Sequence, residues 1–123
     1  MEWIWIMLGG AVGASLRHAT VLFAARADSA LPLGTLVVNG VGCAVAGCVL
    51  AWITVRGGDA PWRPFLQVGL LGSLTTFSAF SVDTLRLVQN GETALALANV
   101  GLNVVLSLVA VAIGYLGLRA LLV

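Results

Sequence analysis

The sequence predicts an all-α integral membrane protein with four transmembrane helices, the third broken near its middle, forming one four-span domain over residues 1–123. Three observations predict it. The chain is 60% hydrophobic and only 9% charged, too few charges to cover the surface of a soluble domain of this size. Four apolar segments are each long enough to cross a bilayer core, which takes roughly 20 residues. Between them lie ARADSALPL, RGGDAPWRP and QNGET, which concentrate Gly, Pro, Asp and Asn with several charges and therefore read as short loops.

The first span is expected from about Trp3 to Ala25. FAARADSA imitates a signal-peptidase site, but Glu2 occupies the n-region without a basic residue, and Arg17 and His18 interrupt the apolar run, so a retained span is the better reading. The second runs from Gly34 to Val55, the third from Phe65 to Val88 and the fourth from Ala94 to Leu118. In the third, Gly69, Gly72, Ser73, Thr75 and Thr76 fall close together, a mixture of poor helix formers that predicts a break. Unwound backbone at membrane depth persists only where protein or a bound ion satisfies it.

With four spans the termini share a side. That side carries Arg56, Arg63 and Arg119, and the other carries Arg26 and Arg86, with Arg17 directed the same way from inside the first span. This balance gives the positive-inside rule almost nothing to act on. Either insertion is fixed by something other than charge, or the chain inserts both ways and pairs head to tail.

Polar side chains inside the spans carry the functional information, because an unpartnered polar group in hydrocarbon costs on the order of 2 to 7 kcal/mol. Asn39 is the one amide of the second span. In the fourth, Asn99, Asn103 and Ser107 stand at i, i+4 and i+8, one stripe of a helix. LLGSLTTFSAFS, residues 70 to 81, places Ser73, Thr75, Thr76, Ser78 and Ser81 among apolar residues; Thr75, Ser78 and Ser81 recur every third position beside a second stripe of Phe77 and Phe80. Any one of these hydroxyls is explained by helix-to-helix hydrogen bonding. As a set they are neutral donors without carboxylates, and the charge well inside the first half is the cation Arg17, which suits an anion. The rims of phenyl rings agree, since they carry the positive part of the quadrupole. Cys43 and Cys48 have no His or acid partner and are expected to be small packing residues. No catalytic pair is visible around His18, the only histidine, so the protein is not expected to be an enzyme, and no nucleic-acid partner is expected.

GGAVGASLRH, GTLVVNGVG and GLLGSLTTFSAFSVD, in that order on spans one to three, resemble the Fluc (CrcB) family of small bacterial fluoride channels. The resemblance covers the chain by length and layout, and its TTFSxF element is quite specific. It implies an antiparallel dual-topology homodimer in the bacterial inner membrane, passive fluoride conduction that lowers cytoplasmic fluoride, and a structural sodium ion at the subunit interface held by main-chain carbonyls of Gly72 and Thr75. It further implies Phe77 and Phe80 as pore-lining rings, Asn39 as the pore amide and Arg17 as the basic residue of the first span. Thr76, Ser81, Asn103 and Ser107 complete the expected anion pathway; Asn at 99 and 103 departs from the family's usual residues.

Fluoride is small and strongly hydrated, so a pore must replace its water with compact donors in sequence. Two other functions compete with this one. A small dual-topology proton-coupled cation exporter needs an intramembrane acid, and the first three spans offer only Asp83 near the end of the third. A noncatalytic scaffold subunit would use the same polar residues only to lock helices.

Overall fold

A computed structural model describes residues 1–58 and 60–123. Its elements are α1 (Glu2–Ala24), extended by one 3-10 turn at Ala25–Ala27; α2 (Leu33–Arg56); a π-helical run (Pro64–Leu71); α3 (Gly72–Leu74); α4 (Phe77–Gln89); and α5 (Thr93–Leu122). Among the described residues, four stretches are long and apolar enough to cross a membrane: Glu2–Ala27, Leu33–Arg56, Pro64–Gln89 and Thr93–Leu122. The four-span expectation therefore holds, with the third span made of the π run, α3 and α4.

Most large apolar side chains face outward, among them Leu22, Val41, Leu97 and Ile113, as hydrocarbon permits and water would not. At the span ends three arginines lie over aromatic rings: Arg26 over Phe23 at 5.6 Å, Arg56 over Trp52 at 5.9 Å and Arg119 over Tyr115 at 5.9 Å. Such pairs let the stem lie on apolar surface while the guanidinium reaches the headgroup level.

Inside, α2 packs most extensively on α5, and α1 packs on the π run. The α2–α5 approach is close because Gly114 has no side chain: a Cβ there would strike the Ala44 carbonyl. The Cys48 thiol donates to the Gly114 carbonyl at the same crossing, 3.4 Å away, in keeping with a small packing residue.

The break lies later than the glycines suggest. Gly69 belongs to the π run and Gly72 is helical, with φ −63° and ψ −28°. The chain leaves the helix at Thr75 (φ −78°, ψ 149°) and Thr76 (φ −152°, ψ 120°). Thr76 then caps α4, its hydroxyl accepting from the Ala79 amide at 3.1 Å.

Candidate functional site

The break is held from across the bundle by one side chain. The Asn39 Oδ1 accepts from the Thr76 amide (2.8 Å), and Asn39 Nδ2 donates to the Thr76 carbonyl (3.2 Å). An amide is the one neutral side chain that can offer a donor and an acceptor side by side, as a neighbouring strand would. The backbone N–H and C=O of the unwound Thr76 are thereby satisfied by protein.

Asn39 Nδ2 also donates to Asn103 Oδ1 at 3.0 Å. Asn103 Nδ2 donates to the Asn99 carbonyl and to Asn99 Oδ1, each at 3.0 Å. Asn99 Nδ2 donates to Thr84 Oγ1 at 2.9 Å, and the Thr84 hydroxyl donates to the Phe80 carbonyl at 2.8 Å. The chain of donors runs one way, from Asn39 to the backbone beneath a ring. Asn99 is 1% exposed and Asn103 5%, and among the described residues no buried side-chain polar atom lacks a partner.

A cavity of about 330 Å³ opens beside this chain, lined by Asn39, Cys43, Thr75, Thr76, Phe77, Phe80, Asn103, Val104, Ser107 and Leu108. Six of the residues expected along an anion pathway, Asn39, Thr76, Phe77, Phe80, Asn103 and Ser107, thus share one wall system. The two rings stand 5.2 Å apart with planes at 57°. They differ in environment: Phe80 is 8% exposed and Phe77 79%. No carboxylate lines the cavity.

Arg17 lies elsewhere, in a groove of about 440 Å³ between α1 and α4 that also contains His18, Thr76, Ser78, Asp83 and Arg86. Thr76 belongs to both spaces, so the unwound residue separates the cationic groove from the ring cavity. Ser81 enters neither; it is exposed and donates to the Phe77 carbonyl at 2.9 Å. The stripe of Thr75, Ser78 and Ser81 is interrupted because the helix breaks between its first two members.

Gly72 opens the last helical turn before the break, and Thr75 is the first unwound residue. The Thr76 amide goes to Asn39, which leaves the Gly72 carbonyl without its helical donor. Thr75 is extended, so its carbonyl points out of the helical ladder. Neutral backbone oxygens freed in this way are hard donors that suit a small monovalent cation. Gly72 is exposed on the subunit.

Sequence reasoning missed Thr84 and Cys43. Thr84 is one turn beyond Phe80 on α4 and looks like an ordinary helix hydroxyl until α5 brings Asn99 against it. Cys43 stands four residues after Asn39, on the same face of α2, and that spacing could have placed it in the wall.

The family described as CrcB-like protein, Camphor Resistance (CrcB), matches residues 4–115. The chain is similar to the fluoride-specific ion channel FluC of Paracoccus denitrificans, with 47% identity over 109 residues, covering 89% of this chain and 87% of the relative. It is 42% identical over 112 residues to the FluC of Shewanella amazonensis, with 90% of each covered. To that of Rhodospirillum rubrum it is 40% identical over 124 residues, covering 95% of this chain and 94% of the relative.

Proposed function

The chain belongs to the CrcB-like family, whose relatives are membrane ion channels and not enzymes, and from this we propose that it is a fluoride-selective passive channel that lowers cytoplasmic fluoride. The observation that carries the reading is the ring cavity, walled by amides, hydroxyls and two phenyl rings and by no carboxylate. An anion entering it meets hydrogen-bond donors and positive ring rims, with no carboxylate to repel it.

The donors are not equally available. Asn39 spends Nδ2 on Thr76 and Asn103, so its first task is to hold the break; it reaches an anion when the Asn103 acceptor yields. The Ser107 hydroxyl and the edge of Phe77 are the more accessible members of the wall. Arg17, in the groove beyond Thr76, raises the local anion concentration. Ser81 is assigned to the pathway only if its exposed face is covered by a second subunit.

A homodimer of antiparallel copies supplies that cover. It is supported by the balanced arginines and by Phe77, a ring of the cavity wall left 79% exposed by one subunit. In the dimer, the carbonyls of Gly72 and Thr75 from both copies would hold a sodium ion. When bound, the ion would offset the repulsion between converging carbonyl dipoles; it is structural and not transported.

The test is fluoride efflux from vesicles containing the purified protein, with a potassium ionophore balancing charge. Fluoride is expected to leave without a proton gradient and chloride to be retained. Efflux that requires a proton gradient would turn the reading to an exporter, and no efflux would leave a scaffold. In protein prepared with N-methylglucamine replacing all sodium, fluoride flux is expected to fall and to return on adding sodium. Undiminished flux after exhaustive sodium removal would show that the break needs no ion.

A further inference from the structure

The groove between α1 and α4 holds more positive charge than the pathway reading uses. Arg17 and His18 come to it from α1, and Asp83 and Arg86 from α4. Asp83 does not neutralise the arginines by contact: it accepts a hydrogen bond from the Thr35 hydroxyl of α2 at 2.7 Å, and among the described residues neither arginine is hydrogen-bonded to it. Two guanidiniums therefore share one groove with a single carboxylate, which leaves a net positive charge there.

The positions are graded. Arg86 stands ten residues beyond Thr76 on α4, about 15 Å at ~1.5 Å per residue, three residues from the end of the helix at Gln89. Arg17 lies seven residues inside the end of α1 at Ala24, about 10 Å deep on the same scale. Thr76 stands at the inner end and also lines the ring cavity.

We propose that Arg86 completes a cationic vestibule around Arg17, setting the anion concentration at the mouth from which the ring cavity is filled. The proposal rests on the channel reading and adds to it a residue that governs supply of the ion rather than its passage. The ligand is a small hydrated anion held by diffuse attraction in an open groove, so charge matters more than geometry. A single unit charge acting through water over roughly 4 to 8 Å changes the local concentration about two- to sixfold. The effect must vanish as salt rises, because the screening length falls from about 30 Å at 0.01 M to about 3 Å at 1 M.

The experiment measures initial fluoride efflux at about 0.01 M and about 1 M total ionic strength, set with gluconate as an impermeant anion. Arg86→Gln is expected to slow efflux about two- to sixfold at low ionic strength and to match wild type at high. Arg86→Lys is expected to match wild type at both. Arg119→Gln removes the same charge from the far end of α5, outside the groove, and is expected to change neither. If the Gln variant does not purify as an assembled protein, Arg86→Met takes its place. Equal efflux from Arg86→Gln and wild type at low ionic strength would overturn the vestibule. So would a deficit that persists at high salt or in Arg86→Lys, which marks a packing role, or an equal deficit in Arg119→Gln, which marks net charge. Wild-type vesicles that release no fluoride would defeat the channel reading itself, a failure distinct from all of these.

Discussion

Phe77 and Phe80 show how far one residue's neighbours in sequence predict its neighbours in space. Their spacing of three places both on one face at the start of α4, and the rings do meet at 5.2 Å. Spacing could not tell that one is buried in the subunit and the other almost wholly uncovered, because that depends on which side α5 occupies. The difference separates two predictions. Replacing either ring with Ile keeps much of the volume and removes the quadrupole, so both variants are expected to lose most of their fluoride flux. Phe80→Ile is also expected to destabilise the subunit by about 1 kcal/mol, since buried apolar swaps of similar size usually cost under ~1.5; Phe77→Ile should not. Wild-type flux in both variants would return the pair to plain packing, and thermal unfolding in detergent checks the stability difference. The Asn99, Asn103 and Ser107 stripe was legible from its spacing of four. Its partners Thr84 and Asn39 were not, because they lie 15 and 64 residues away from Asn99 and Asn103 respectively.

The broken third span was legible as an element, but the break was attributed partly to glycines that remain helical. Propensity marks where a helix is weak; it does not say where a competing partner is strong. The competing partner is Asn39, which takes both polar groups of Thr76 and so moves the unwound residues to positions 75 and 76. That exchange depends on how close α2 comes. Gly42, one turn beyond Asn39, faces Thr75, and a Cβ there would strike the Thr75 Cγ2. Gly42→Val is therefore expected to push the break away from Asn39, abolish most fluoride flux and lower the thermal midpoint. Gly40→Ala, where an added Cβ meets nothing within 4 Å, is the control for helix propensity and should leave flux within about twofold, a Gly-to-Ala change in a helix being favourable by up to ~1 kcal/mol. Unaltered flux in Gly42→Val would mean that the break tolerates displacement.

At the scale of the molecule, the six arginines are spread so evenly that neither side of the membrane is marked as inside. Three of them rest over rings at the span ends, so they anchor depth without choosing direction. Adding three Lys to the QNGET loop should force one orientation, and a chain so biased is expected to lose fluoride flux when expressed alone. Coexpression with a copy carrying three added Lys in RGGDAPWRP is expected to restore it. Cysteine accessibility from each side reports the orientation; full flux from a chain shown to sit one way only would rule out pairing of antiparallel copies.

The sequence by itself determined the solvent and the repertoire. Sixty per cent apolar residues in four runs leave only spanning helices as a way to satisfy the backbone. With so few polar residues inside those runs, each one stood out as a candidate for a use. Tertiary structure decided how those residues divide their work. It made Asn39 the clamp of the break, separated Arg17 from the rings by Thr76, and put Arg86 in one groove with Arg17, 69 residues earlier in the chain. Those outcomes depend on helix-to-helix distances set by Gly42 and Gly114, where a single added methyl would collide. Local periodicity places residues on a face; only packing says what that face meets.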